Sequence, residues 1–309
     1  MSTRNHGPLL DALRGLRWPA RRAVGAALPG AHRSRQRGTS GEFTEYRLYR
    51  QGDDPRQLDW KLLARSDRAF VRLTDDRALL PTWIVVDASA SLDFPARGVD
   101  DAALPTKWSV ASALAVGLAA VAHASSDPVG LIATGASGPT RMTARSRRGT
   151  VGELARTLDK VTVGGNVPLA PLMTTIPAMA RVVLISDLLG DNDELIRVAA
   201  QRAVAGGIIE CVHVVASEEL ELPAGAHLAR DPDSPAFQRA MDRRAHAEYA
   251  RRFDTFRADV ARRWRATGAG YVEVRTDQPV ARLVRQIVSG VGRNAAGVAP
   301  ASTSQVEGR

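Results

Sequence analysis

An acid and two hydroxyls stand at alternate positions directly after an apolar run in the segment IVVDASAS. They are Asp87, Ser89 and Ser91. Carboxylate and hydroxyl oxygens are hard donors suited to Mg²⁺, Mn²⁺ or Ca²⁺. An aspartate in this place can also attack phosphorus, and small polar residues can simply shape a tight turn. The pattern alone leaves a metal site, a nucleophile and a structural turn open.

The elements that would position these residues follow from the hydrophobic pattern after position 80, where short apolar runs alternate with helical ones. The predicted strands are 82–86, 129–133, 140–143, 181–185, 208–215 and 271–274, and the predicted helices are 106–123, 150–158, 169–179, 193–205, 234–267 and 279–288. This alternation predicts an α/β, Rossmann-like domain with a mostly parallel sheet and helices on both faces. Ligands of such sheets bind beyond the carboxyl ends of the strands. Asp187, after the run RVVLIS, would therefore share an edge with Asp87.

Enzyme chemistry is less well supported by the same residues. A haloacid-dehalogenase-like phosphatase would use Asp87 as nucleophile and hold Mg²⁺ with Asp187 and Asp191. It also needs an acid two residues after the nucleophile, where serine is a poor proton donor, and a lysine, for which Lys160 is the candidate. No G-x-S-x-G motif indicates a serine hydrolase. The sequence therefore predicts no catalytic residue and leaves the phosphatase as the alternative.

Positive charge is concentrated at the N-terminus. The whole chain of 309 residues has a formal net charge of +9, and residues 1–40 contain eight arginines and one acid. We expect a basic, flexible arm here, which could attach to nucleic acid or to a membrane surface as a further alternative. Interleaved aromatic residues and nucleic-acid motifs are absent from it, so nucleic acid is not the expected partner. Residues 291–309 are small and polar and are predicted to be a disordered tail.

Two further features bear on the compartment. Cys211 is the single cysteine, so no disulfide can form within the chain. The uncharged segment 108–126 approaches the length of a membrane span, but it is rich in Ala, Ser and Gly and is better explained as a buried helix. No apolar run typical of a signal peptide follows the basic N-terminus. The expected protein is cytoplasmic and not an integral membrane protein.

The most distinctive segment is YRLYRQGDDPRQLDWKLLARSDRAFVRL, at 46–73, which lies between two predicted strands, 42–50 and 69–77. We expect a β-rich element over 41–77. The polar block includes Asp53, Asp54, Arg56, Asp59, Trp60 and Arg65. Arginine and carboxylate side chains at this density can form a bidentate ion-pair cluster. Such a cluster would either lock the strands in place or form a face that binds a partner, and both remain open.

Together with VVDASASL and VVLISDLLGD, this block resembles the bacterial family called domain of unknown function 58 over about residues 38–290. The resemblance implies a von Willebrand factor A-like domain at 78–290. In such domains the D-x-S-x-S pattern belongs to a metal-ion-dependent adhesion site. By this resemblance Ser89 and Ser91 would ligate Mg²⁺, or Mn²⁺ or Ca²⁺, and Asp87 would orient a bound water. Asn166 and Asp187 would complete the inner or outer shell. Asn166, in GGNVPLAPLM, takes the position at which the family has threonine.

The resemblance also implies a task. Members are cytoplasmic and are often encoded beside a MoxR-type AAA+ ATPase. The expected protein is a non-enzymatic, metal-dependent adaptor or co-chaperone that works with such an ATPase in the assembly or activation of other proteins.

Overall fold

The computed structural model describes residues 5–18, 42–50, 58–66, 68–75, 79–95, 105–221, 228–230, 238–240 and 242–290. In chain order the helices are α1 (Gly7–Ala12), α2 (Trp60–Ser66), α3 (Lys107–Ala124), α4 (Thr150–Asp159), α5 (Leu169–Thr174), α6 (Asn192–Val204), α7 (Ser217–Leu220), α8 (Arg243–Ala266) and α9 (Val280–Ser289). The strands are β1 (Glu42–Leu48), β2 (Phe70–Asp75), β3 (Thr82–Val86), β4 (Val129–Ala133), β5 (Thr140–Arg145), β6 (Arg181–Ser186), β7 (Ile208–Val215), β8 (Leu228–Arg230), β9 (Gln238–Ala240) and β10 (Gly270–Arg275). The chain divides into two compact units, residues 24–79 and residues 1–23 with 80–309.

The smaller unit contains β1 and β2, which pair antiparallel, and the helix α2 between them. The two strands were predicted, whereas α2 falls in a segment read only as polar. Asp59 explains the helix, because its carboxylate accepts hydrogen bonds of 3.0 Å from the backbone N–H groups of Lys61 and Leu62. An aspartate in this position satisfies the free donors at a helix start. Asp53, Asp54 and Arg56 lie outside the described residues.

The larger unit is built on a six-stranded sheet with the order β10-β7-β6-β3-β4-β5. The paired strands are parallel except β5, which runs antiparallel to β4 at one edge. The chain enters the sheet at β3, continues to one side, and returns to the other side of β3 at β6. The boundary between β3 and β6 is therefore the topological switch point, where ligands of such sheets bind.

Helices cover both faces of this sheet. Ile84 and Val86 point to the face that α3, α4 and α9 cover, and Trp83 and Val85 point to the face of α5, α6 and α8. This alternation is the period of two that a strand imposes on its side chains. All of β3 is buried, as expected for a central strand packed on both faces. The predicted fold class, an α/β domain with a mostly parallel sheet between helices, is confirmed.

Helix α3 is the core helix of one face. Among the described residues, α3 is the one helix that is long and apolar enough to cross a membrane. Of its 18 residues, 72% are buried inside the domain. Leu114, Leu118 and Ala115 along it are fully buried. Its apolar composition therefore matches its place between the sheet, α4 and α9, since a helix that is packed on most sides is hydrophobic all round.

Residues 5–18 differ from the free arm that was predicted for the N-terminus. Leu13 and Trp18 are buried in the core beside α3 and α9. Gly117 permits the approach, because a side chain there would meet Leu13 at 3.2 Å and Val284 at 2.8 Å. The apolar side chains of this short segment thus pack into the core, which its arginine-rich composition did not indicate. The arginine-rich stretch 19–40 and the tail 291–309 lie outside the described residues.

Helix α8 begins later than predicted. Its first residue is Arg243, and Asp242 caps it by accepting a 2.7 Å hydrogen bond from the Ala245 N–H. Part of the predicted helix is instead the strand β9, which pairs antiparallel with β8. The charged, alanine-rich sequence lies after 242, over 243–266, and the capping aspartate marks the actual start.

Candidate functional site

Asp87 leaves the carboxyl end of β3 at the switch point, and both of its carboxylate oxygens are engaged. Its backbone N–H donates to the Ile185 carbonyl of β6 at 2.9 Å. Oδ2 accepts a 2.7 Å hydrogen bond from the Ser186 hydroxyl, and Oδ1 accepts one of 2.9 Å from the Ser89 N–H. The buried side chain is therefore fixed in one orientation.

The electrostatics at Asp87 favour a positive charge nearby. Burial raises the pKa of this carboxyl, and the negative charge of Asp187 raises it further. Hydrogen bonds from Ser186 and Ser89 lower it without cancelling these effects. The net pKa lies above the ordinary value, which means that the ionised form is poorly compensated. A cation at this edge would relieve that imbalance.

Two hydroxyls lie side by side next to Asp87. Ser89 Oγ and Ser91 Oγ are 3.2 Å apart. Ser91 belongs to the short 3-10 turn Ala90–Asp93 and is buried, whereas Ser89 is half-buried. The turn therefore brings two neutral hard-oxygen donors to one place, as the alternate spacing predicted.

Asp187 directly follows β6, and a lysine meets it from the start of α3. Lys107 Nζ lies 2.6 Å from Oδ2 of Asp187 and 2.8 Å from Oε1 of Glu219. Only 1% of the Lys107 side chain is exposed. Burial lowers the pKa of this ammonium, but the charges of Asp187 and Glu219 outweigh it and the pKa is raised. The site therefore contains a buried ammonium that two acids hold.

The loop of Asn166 lies against the Asp87 loop. The Gly164 N–H donates to the Ala88 carbonyl at 2.8 Å, and Gly164 and Gly165 adopt positive φ angles of 139° and 74°. The Ala88 N–H in turn donates to the Thr134 hydroxyl at 3.0 Å. Asn166 itself is exposed. The structure thus brings this loop to the site through its backbone. The side chains of Asp87, Ser91 and Asp187 form the buried part, and half-buried Ser89 lies beside them.

A buried, neutral histidine, His213, lies next to Asp187. Burial lowers the pKa of His213 to about 4, although the charges of Glu273 and Asp187 and a hydrogen bond to the Asp187 backbone act to raise it. His213 Nδ1 lies 2.7 Å from the Tyr271 hydroxyl. The ring therefore acts as a hydrogen-bonded spacer between β7, β10 and the Asp187 loop.

Lys107, Glu219 and Ser186 were missed from the sequence. Lys107 left one signal: it is the first residue of an apolar helix, where a cation opposes the helix dipole unless acids compensate it. Ser186 is the last residue of β6, one position before the predicted Asp187. Glu219 follows β7 in a segment for which the sequence predicts no regular element, and nothing in the sequence indicates its role.

The residues that the phosphatase alternative requires do not all lie at one site. Asp191 caps α6 by accepting hydrogen bonds from the N–H groups of Asp193 and Glu194. Lys160 is exposed at the end of α4. The lysine at the site is instead Lys107, and both of its acidic partners are fixed. With both oxygens of Asp87 hydrogen-bonded, the arrangement gives an attacking carboxylate little freedom.

The side chains at this edge offer oxygen donors, which are the ligand type that a hard divalent cation prefers. Ser89 and Ser91 offer hydroxyls, and Oδ1 of Asp187 accepts only a long, 3.4 Å hydrogen bond from the Leu189 N–H among the contacts described. No group of three or more His, Cys, Asp and Glu suited to a metal occurs within the described ranges. A cation at this edge would therefore depend on the serine hydroxyls and water, which suits Mg²⁺ better than zinc.

The block at 53–65 is described only in its second half. Asp59 is the cap of α2, Trp60 is 64% exposed, and Arg65 is exposed on the same helix. Asp59 therefore has a structural task. The exposed Trp60 is available as a contact surface, and both hypotheses for the block stay predictions.

Comparison with known proteins gives the chain relatives of nearly its own length. Residues 45–259 match the family described as "Protein of unknown function DUF58". The uncharacterized proteins Rv1480 of Mycobacterium tuberculosis and Mb1516 of Mycobacterium bovis are each 31% identical over 300 residues, which cover 91% of this chain and 89% of theirs. Their names assign no activity.

Solved structures with a similar chain path include BatB, a conserved hypothetical protein from Bacteroides thetaiotaomicron, and the VWA domain of SpRpn10. BatB is 14% identical, with a TM-score of 0.43, over 68% of this chain and 97% of its own. The SpRpn10 domain is 15% identical, with a TM-score of 0.39, over 67% of this chain and 95% of its own.

Proposed function

The chain belongs to the DUF58 family of proteins of unknown function, and we propose that it is a protein-interaction module whose binding site is the Asp87 edge. We define the Asp87 edge as Asp87, Ser89, Ser91 and Asp187 with the adjoining loop of Asn166. The module would be non-enzymatic and metal-dependent. The observation that carries the proposal is the 3.2 Å approach of the two serine hydroxyls beside a carboxylate whose oxygens are both held.

Preorganisation supports binding at this edge. Asp87 cannot rotate without losing the hydrogen bonds from Ser186 and Ser89, so a ligand meets it in a fixed place. Ser89 and Ser91 would hold Mg²⁺, Asp87 would accept a hydrogen bond from a bound water, and Asp187 and Asn166 would complete the shell. When bound, the ion would supply positive charge for a carboxylate of the partner. A site whose side chains are already ordered loses less conformational entropy on binding, and this increases its affinity.

The partner proposed is a MoxR-type AAA+ ATPase, with the chain as its adaptor or co-chaperone in assembling or activating other proteins in the cytoplasm. The support is the family resemblance of the GDDPRQLDW and DASAS segments. A site that relies on a partner's carboxylate suits an adaptor, because it engages and releases without chemical change in either protein.

A pull-down with a purified MoxR-type AAA+ ATPase from the same organism tests this proposal. The wild-type chain should retain the ATPase in Mg²⁺ and lose it in EDTA, and Asp87→Ala should lose it in both. Retention by both proteins in both conditions would refute the site. The same preparations should show no turnover of phosphate esters, and turnover that Asp87→Asn abolishes would establish the phosphatase instead.

A further inference from the structure

A positive charge of the protein's own already lies at the carboxylate that a metal would share. The Lys107 ammonium contacts Oδ2 of Asp187 at 2.6 Å and is almost fully buried. Glu219 holds it from the other side at 2.8 Å. Glu219 is itself fixed, since its Oε2 accepts a 2.8 Å hydrogen bond from the Ala216 N–H. Lys107 thus lies between two acids, and only Asp187 belongs to the Asp87 edge.

We infer that Lys107 is an internal competitor of the divalent cation and thereby sets the metal affinity of the Asp87 edge. The inference rests on the proposed function, of which it specifies the regulation. An ion bound through Oδ1 of Asp187 would lie within a few ångströms of the ammonium on Oδ2. Two positive charges at such a separation in a buried site repel strongly. The ammonium also neutralises the carboxylate charge that would attract the ion.

Glu219 reduces the competition between Lys107 and the cation. When Asp187 engages a cation, the ammonium can stay paired by moving toward Glu219, which remains fixed to the Ala216 N–H. Without that second acid, the ammonium would be held by Asp187 alone and would oppose the ion more strongly. Lys107 and Glu219 therefore have opposite effects on metal binding, although they form one ion pair. An ion pair that only stabilises the fold, without facing a bound cation, would instead leave the Mn²⁺ affinity of the folded variants unchanged.

Binding of Mn²⁺ to the purified chain without partner, measured by titration calorimetry, tests the inference. Lys107→Met should bind Mn²⁺ more tightly than wild type by about tenfold or more, because a repelling charge is removed. Glu219→Gln should bind it more weakly than wild type. Lys160→Met removes an exposed lysine from the end of α4 and should leave the Mn²⁺ affinity unchanged.

Lys107→Met leaves two buried acids without their cation and could therefore misfold. Two further variants serve as controls. Lys107→Met combined with Glu219→Gln removes the ammonium and one acid together and should still bind more tightly than wild type. Lys107→Arg keeps the charge and should show no gain. Folded Lys107→Met or double-variant protein that binds no more tightly than wild type would overturn the inference.

The outcome also separates this inference from the function proposed above. If wild type binds Mn²⁺ through Asp87 and Lys107→Met gains nothing, only the competition is refuted. If no variant binds Mn²⁺, the competition and the metal dependence are both refuted. Partner binding that survives EDTA but is lost in Ser89→Ala would then still leave the Asp87 edge as the interaction site.

Discussion

The Ser186 hydroxyl donates a 2.7 Å hydrogen bond to Oδ2 of Asp87, across the switch point between β6 and β3. The same hydroxyl oxygen accepts a 3.0 Å hydrogen bond from the Leu188 N–H. Ser186 therefore connects the Asp87 loop with the loop that begins at Asp187. The geometry of the candidate site depends on this one side chain as much as on the residues that would touch a ligand.

Ser186→Ala should weaken the site. It leaves Oδ2 of Asp87 buried without its donor, which costs about 1 to 3 kcal/mol in the free energy of unfolding. Loss of the fixed orientation should also weaken Mn²⁺ binding several-fold. Urea denaturation and metal titration measure the two effects. Ser146→Ala is the matched control, because Ser146 is exposed after β5, at the opposite end of the sheet. Equal behaviour of the two variants would show that Ser186 does not position Asp87.

Trp18 should matter for stability and not for binding. Its ring is 3% exposed and lies 4.4 Å from the Arg181 guanidinium at the start of β6, the end of the sheet away from Asp87. Trp18→Ala should lower the free energy of unfolding by about 3 to 5 kcal/mol and leave partner affinity unchanged. The control is Trp60→Ala, which removes a tryptophan that is 64% exposed and should change stability by about 0.5 kcal/mol or less. A Trp18→Ala protein as stable as wild type would mean that residues 5–18 do not hold the core.

His213 should make stability depend on pH. Burial lowers its pKa from 6.5 to about 4 in the folded protein. Above pH 6.5 the ring is neutral in both states, and its contribution to stability is fully present. As the pH falls toward 4 the unfolded chain takes up a proton that the folded protein does not, so stability is lost. Wild type should lose on the order of 1 to 3 kcal/mol more than His213→Gln over this interval. Urea denaturation at several pH values measures it, and parallel profiles would contradict the burial of a neutral ring.

Much of the fold was accessible from the sequence because the central strands are continuous apolar runs with polar ends. The bounds predicted for β3, β4 and β7 agree with the structure, as does the placement of Asp87 and Asp187 on one sheet edge. Period and turn residues suffice for elements of this kind.

The ion pairs of the site were not accessible in the same way. Lys107 and Glu219 are 112 positions apart, and the sequence does not show which distant acid will compensate a buried lysine. The packing of Leu13 and Trp18 was missed for a similar reason, because a short apolar pattern was outweighed by the arginines around it. Such contacts depend on the tertiary arrangement and not on local propensity.

The decisive measurement is the affinity of the chain for a purified MoxR-type AAA+ ATPase in Mg²⁺ and in EDTA. The double variant Ser89→Ala with Ser91→Ala removes the paired hydroxyls, and Ser146→Ala is its control. We expect EDTA and the double variant each to weaken binding by about tenfold or more, and Ser146→Ala to bind as wild type does. Equal affinity of wild type in Mg²⁺, wild type in EDTA and the double variant would contradict a metal-dependent interaction site at the Asp87 edge.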